Sequence, residues 1–248
     1  MKKSTVLIIK MGNTYPEINI QFGGFDDLII NSADQKHIKW KVLDILDVYP
    51  EEVNSYDAVI LTGAHASVTK HYPYLEGMER VLLNIIDHEI PCFGICFGHQ
   101  LIHKLLGGKV IRNPLGQEFG VTELFLTMDG RSDKNFYMHE TGKIEVYESH
   151  TDIVLYTAAD VTQLAWNESN QYQATRYKDF IYTVQFHPEF NKSVMESYIC
   201  KNRDLIKNDR LNVQSPEKLL KKNKELVHSA GFLKSFFNLV KSDVIVKK

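Results

Sequence analysis

Apolar positions in the first half of the chain gather into short unbroken runs, and these alternate with longer stretches of helical spacing. Val6–Ile9 is one such run, and Lys41–Leu46 and Ala58–Thr62 read as the second and third strands. Leu75–His88 carries Leu75, Met78, Val81, Leu82, Ile85 and Ile86 on one stripe, the spacing of an amphipathic helix. Pro91–Ile95 predicts the next strand. Phe97–Leu106 predicts a helix that Gly107-Gly108 brings to an end. Strands separated by helical stretches imply parallel pairing, hence an α/β fold with a doubly wound, mostly parallel sheet and helices on both faces. Ligands in such sheets sit beyond the carboxyl ends of the strands. Gly63 and Cys96 both follow predicted strands there.

From about Gly116 the texture turns to β. Phe119–Thr127, Ile144–Tyr147, Val154–Ala158, Gln163–Asn167, Gln171–Tyr177 and Ile181–Gln185 are short runs rich in β-branched and aromatic residues. Beyond Glu189 the pattern is helical and charged, with apolar stripes over Ser193–Ile206, Pro216–Ser229 and Phe232–Val240. No repeat, low-complexity tract or linker interrupts the chain. The expectation is one domain over residues 1–248, with a core over about 5–190 and a helical C-terminal layer over about 191–248. The charged stretches Asn202–Arg210 and Glu217–Glu225 read as solvated helix faces.

The composition narrows the function classes. A chain of 248 residues can bury a full core. A net charge of −2 argues against nucleic acid or an anionic membrane as the main partner. Three cysteines, Cys92, Cys96 and Cys200, are too sparse for a disulfide framework and point to free thiols in a reducing, cytoplasmic setting. The opening Met1-Lys2-Lys3 followed by apolar residues mimics a leader. Its apolar core is only Val6–Ile9 with no small-residue cleavage site after it, so it reads as the first strand. No run is long enough to span a bilayer.

The candidate chemistry centres on Gly94-Ile95-Cys96-Phe97-Gly98. This is the spacing of a nucleophile elbow, with sulfur in place of oxygen. The glycines allow a sharp strand-to-helix turn, and the helix N-terminus favours a thiolate there. Downstream, Gln185-Phe186-His187-Pro188-Glu189 supplies a base and a carboxylate to orient it, completing a Cys-His-Glu set. Cys92 lies in the same apolar run without the glycine frame and reads as core. His99 and His103 have the i, i+4 spacing of metal ligands, but no third ligand has motif spacing, so no metal or cofactor is expected and His99 reads as a hydrogen-bonding residue near the elbow. His65, His71, His88, His139 and His228 show no partner pattern.

Four separated segments, taken together, resemble the class I, triad-type glutamine amidotransferases. Cys96-Phe97-Gly98-His99-Gln100 is similar to the family's nucleophile block, and Thr62-Gly63-Ala64-His65-Ala66-Ser67-Val68 to its oxyanion-strand block. Ser149-His150-Thr151-Asp152-Ile153-Val154 resembles the glutamine-clamping block, and Val184-Gln185-Phe186-His187-Pro188-Glu189 the His/Glu block. Gly116-Gln117-Glu118-Phe119-Gly120 is a weaker fifth match. The opening Lys10-Met11-Gly12-Asn13-Thr14 and the helical tail are similar to stand-alone, GMP-synthase-like members.

The resemblance implies a flavodoxin-like α/β fold and assigns roles. Cys96 would attack the side-chain amide carbon of glutamine. The backbone N–H groups of Gly63 and Phe97 would hold the oxyanion, and His187, oriented by Glu189, would carry the proton. Gln100 and the backbone around Ser149 and His150 would grip the amino-acid end. Ammonia would pass to an acceptor, through a synthetase or other partner protein. The chain carries no Ser-Gly-Gly-x-Asp-Ser loop or phosphate loop, and about 60 residues follow Glu189, too few for an ATP-using domain. Gly63-Ala64-His65 stands where nucleotide-making members usually have Gly-Gly-Pro, and Thr151 where many have glycine. These departures point away from a GMP-synthase role. They leave a second reading open: a γ-glutamyl peptidase using the same three side chains on glutathione-like compounds. A non-catalytic binding module and a DJ-1/PfpI-like hydrolase fit less well, the latter because Phe97 follows the cysteine where those enzymes usually carry histidine.

Overall fold

The computed structural model describes residues 3–136, 142–209, 211, 214–226 and 228–246. His139 and Arg210 lie outside them. The chain opens with strand β1 (Thr5–Lys10), helices α1 (Pro16–Phe22) and α2 (Phe25–Ala33), and strands β2 (Lys39–Asp44) and β3 (Ala58–Leu61). Helix α3 (Leu75–Asp87), strand β4 (Cys92–Ile95), helix α4 (Phe97–Leu105) and strand β5 (Lys109–Arg112) complete the first half. Then come β6 (Glu118–Leu126), the short α5 (Met128–Ser132), β7 (Lys143–His150), β8 (Asp152–Tyr156), β9 (Val161–Trp166), β10 (Ala174–Tyr177) and β11 (Ile181–Val184). Helices α6 (Lys192–Lys201), α7 (Arg203–Lys207), α8 (Pro216–Lys222) and α9 (Gly231–Val246) follow.

Among the described residues, nine strands form one sheet in the order β2-β1-β3-β4-β11-β10-β9-β6-β7, and β5 pairs with β8 in a separate ribbon. From β2 to β11 the neighbours run parallel, and from β11 to β7 they alternate antiparallel. The change of sequence texture near Gly116 marks this passage to antiparallel pairing, with β11 returning to lie beside β4.

Strand alternation divides the core between the faces. Val6, Ile8, Ile60, Phe93 and Ile95 face α2 and the apolar stripe of α9, including Phe232, Phe236 and Phe237. Leu7, Ile9, Val59, Leu61 and Cys92 face α3 and α4. A third cluster joins Phe119 and Tyr147 to α1, α2, α6 and α8. Cys92 is fully buried in this packing, as its sequence context predicts.

Element boundaries differ from the sequence expectation where side chains intervene. The Ser193–Ile206 stripe divides at Asn202, whose amide donates to the Tyr198 carbonyl. The Pro216–Ser229 stripe is helical only to Lys222, and Asn223 beyond it donates to the Lys192 carbonyl. Strand β10 starts at Ala174 rather than Gln171 because Asn167 Oδ1 accepts the Ser169 and Asn170 N–H groups and shapes the preceding turn. No helix among the described residues is long and apolar enough to cross a membrane.

Candidate active site

Cys96 is the single residue between β4 and α4. Its φ of 50° is rare for a residue with a side chain. Its N–H donates to the Val184 carbonyl and its carbonyl accepts the Gln100 N–H. Two close approaches explain the flanking glycines. A Cβ at Gly94 would fall 3.0 Å from the Gly98 backbone, and a Cβ at Gly98 2.6 Å from the Leu61 carbonyl oxygen. The cysteine is thus fixed at the N-terminus of α4, where the unpaired N–H groups of a helix start favour negative charge.

β11 feeds the second part of the site. His187 lies three residues past its end, and its N–H donates to the Tyr147 carbonyl at 2.9 Å. The imidazole Nδ1 lies 2.7 Å from Glu189 Oε1, both side chains are buried, and the ring stacks on Phe190 with centroids 4.2 Å apart. Cys96 lies close enough for its sulfur to act on the ring electrostatically. Burial disfavours the imidazolium, but the Glu189 carboxylate and the Cys96 sulfur outweigh it and raise His187 to about 10. The ring is therefore protonated at neutral pH.

The Gly63 and Phe97 N–H groups pair with no backbone carbonyl among the described residues. Gly63 lies against the His187 ring. The loop that carries it is fixed from the other side: the His65 ring stacks on Tyr15 at 4.1 Å, and its Nε2 lies 3.2 Å from the Tyr198 hydroxyl. Burial, aided by the positive charge of His187, lowers His65 to about 4, so it is neutral. This wall joins the oxyanion-strand block to Tyr15, just before α1, and to α6. Sequence reasoning finds no partner for His65 because all its contacts come from distant elements.

Gln100 and His150 act on the clamp segment from behind. Gln100 Nε2 donates to the Asp152 carbonyl at 2.8 Å and to Gln185 Oε1 at 3.0 Å. His150 Nδ1 lies 3.1 Å from the same carbonyl. Its Nε2 lies 3.0 Å from Glu148 Oε2 and 3.2 Å from Glu118 Oε2, all three side chains being buried. Burial opposes a charge on His150, yet the Glu148 carboxylate, with Glu118 beside it, holds it well above its ordinary range. The His150 side chain is thus an internal cation, and Ser149, Thr151 and Asp152 line the cavity with it. Glu118 also accepts from Asn167 and Gln173. His99 and His103 hydrogen-bond Thr183, Thr157 and Thr175 beneath the elbow, and burial lowers both.

A cavity of about 430 Å³ opens onto Cys96, with Gln100, Ser149 and His150 on its wall. The seven residues singled out around the cysteine therefore meet at one place, although they come from positions 63 to 189. Lys70, Arg112, Tyr15 and Asn202 also line this space. No sequence pattern marks these four, because loops and tertiary packing bring them there.

The family model described as "Glutamine amidotransferase class-I" matches residues 20–206. The glutamine-hydrolyzing GMP synthase subunit of Saccharolobus solfataricus is 32% identical over 189 residues, 74% of this chain and 94% of that protein. Gamma-glutamyl peptidase 5 of Arabidopsis thaliana is 22% identical over 178 residues, 70% of this chain and 71% of that protein. Among solved structures, a glutamine amidotransferase from Thermotoga maritima aligns with TM-score 0.72 and 23% identity, covering 97% of this chain and 99% of the other.

Proposed function

Because the chain belongs to the class-I glutamine amidotransferase family, we propose that it cleaves the side-chain amide of glutamine by nucleophilic catalysis at Cys96. The observation that carries this reading is the Cys96–His187–Glu189 arrangement, a sulfur at a strained turn acting electrostatically on an imidazole whose Nδ1 is held by a buried carboxylate.

The sulfur, its proton on His187, adds to the amide carbon. The carbonyl oxygen becomes an oxyanion that the Gly63 and Phe97 N–H groups would receive. As the tetrahedral species collapses, His187 gives its proton to the leaving nitrogen, the C–N bond breaks and ammonia departs. The γ-glutamyl group remains on sulfur as a thioester. Neutral His187 then takes a proton from water, whose oxygen attacks the thioester carbon. Glutamate leaves and Cys96 is restored. Glu189 keeps the imidazole oriented and stabilises its cation. The ammonia goes to an acceptor held by a separate protein. No metal or cofactor enters these steps.

A second reading is cleavage of γ-glutamyl peptides by the same groups. The cavity volume, within the range of pockets that enclose ligands larger than a lone amino acid, favours it. So does the similarity to a plant gamma-glutamyl peptidase. The deciding experiment gives the purified chain glutamine and γ-glutamyl dipeptides, with and without cell extract. Slow glutaminase that extract accelerates supports an amidotransferase gated by a partner. Fast cleavage of a dipeptide by the chain alone supports the peptidase. No thioester on either substrate would overturn both.

A further inference from the structure

The charge lining the cavity is unbalanced in a way the steps above do not use. Among its described lining residues the charged side chains are Lys70, Arg112, Asp152 and the buried His150. The Asp152 carboxylate is engaged by the Ser67 hydroxyl. Glu118 and Glu148 are turned onto His150. Arg112 and Lys70 form no ion pair with a described residue.

Arg112 is also tied to the clamp. It ends β5, where it is the register partner of Asp152 at the start of β8. The next residue, Asn113, donates its N–H to the Thr151 carbonyl at 2.8 Å. The Asp152 carbonyl is the one that Gln100 and His150 hold. The guanidinium is thereby carried on the strand beside the Ser149–Asp152 segment. Lys70 lines the same cavity from the loop whose Ser67 hydroxyl reaches Asp152. An amino-acid head group brings a carboxylate, and a planar guanidinium matches a carboxylate with two parallel N–H donors.

We propose that Arg112 binds the α-carboxylate of the substrate's glutamyl head group, with Lys70 as a second cation of the same subsite. This rests on the reading that a γ-glutamyl compound enters the cavity, but not on its being cleaved. The subsite defines the substrate class as γ-acyl compounds of a free α-amino acid. Compounds lacking that carboxylate bind more weakly.

The test measures binding by calorimetry on Cys96→Ala protein, which cannot form a thioester. The ligands are L-glutamine and 4-aminobutanamide, which is glutamine without its α-carboxylate. With Arg112 present, glutamine should bind more tightly than the analogue. Arg112→Met should weaken glutamine roughly tenfold to a hundredfold, the scale of a hydrogen bond between charged groups. It should leave the analogue unchanged, so that the preference collapses. Arg112→Lys should restore part of it. Equal weakening of both ligands would show a packing role and overturn the proposal, as would no effect on either or no binding of glutamine at all. Glutamine that binds through Arg112 but is never hydrolysed by the unaltered chain would overturn the Cys96 chemistry and leave the subsite standing.

Discussion

Gly63 and His187 approach so closely that a Cβ at position 63 would lie 3.1 Å from His187 Cε1. The imidazole has little room to yield, because Glu189 holds one nitrogen at 2.7 Å and Phe190 stacks on the ring at 4.2 Å. The same added methyl would lie 3.5 Å from Phe25 Cε1 on its other side. Gly63→Ala should therefore fold and bind substrate, but displace the ring or the oxyanion N–H by a few tenths of an ångström. Turnover should fall by roughly tenfold to a hundredfold, as small misplacements in a preorganised site do. Steady-state kinetics with a parallel thermal melt checks this. Wild-type turnover in Gly63→Ala would mean that this contact does not position the ring.

The three cysteines should separate cleanly in reactivity. Burial pushes the Cys92 thiol far above its ordinary range, and Cys200 is exposed outside the site. Cys96 alone combines the helix start, the cavity and the His187 contact. A glutamine-like electrophile should modify Cys96 and spare the other two, as read by peptide mass spectrometry. Cys96→Ala should abolish turnover without lowering Tm. Modification of Cys200 at an equal rate, or residual hydrolysis in Cys96→Ala, would reject Cys96 as the nucleophile.

The alkaline limb of kcat/KM should report His187. Its value is raised to about 10, so the imidazolium that protonates the leaving nitrogen persists through neutral pH and is lost as pH rises through that value. Glu189→Gln removes the largest charge that raises it, while burial still opposes the cation. The limb should then move toward neutral pH. Turnover at neutral pH should drop roughly ten- to a thousandfold, less than in His187→Ala. A limb that stays in place in Glu189→Gln would assign the orienting role to another carboxylate.

The site is largely legible in the sequence because its residues sit where backbone geometry is unusual or strictly periodic. The glycine frame around Cys96 and the two-residue step from His187 to Glu189 are local signals. So are the buried strands β1, β3 and β4, which are unbroken apolar runs. Strand β5 escapes such a reading because Lys109-Val110-Ile111-Arg112 is only four residues with charged ends, and pairs outside the main sheet. Helices α1 and α2 are not among the predicted elements, although Pro16 and the Asp26-Asp27 pair are N-terminal helix signals. The link from Glu148 to His150 is readable as two positions on one face of a strand, but Glu118 joins them only through the cross-strand register that sets it opposite His150. Arg112 is visible as a cation but not as a cavity residue, because its place depends on the β5–β8 pairing.

That buried pair should leave its mark on stability. His150 is held above its unfolded value by Glu148 and Glu118. The stability it contributes is full below its unfolded value of about 6.5 and is lost as pH rises through the higher folded value. Burial raises Glu148, which likewise keeps its proton longer when folded than when unfolded. Its ionisation therefore also lowers stability as pH rises above its unfolded value of 4.5. Both slopes have the same sign. His187 adds a further decline toward its value of about 10, but it is present in wild type and variant alike. Glu148→Gln removes one titration and most of the charge that raises His150. Its Tm should thus fall less steeply than the wild-type Tm as pH rises above the unfolded values of Glu148 and His150. The comparison is made by calorimetry at matched ionic strength. Parallel Tm curves for the two proteins would mean that Glu148 and His150 do not share charge in the folded state. A steeper fall in Glu148→Gln would mean that the glutamate stabilises the fold as an anion independently of the histidine.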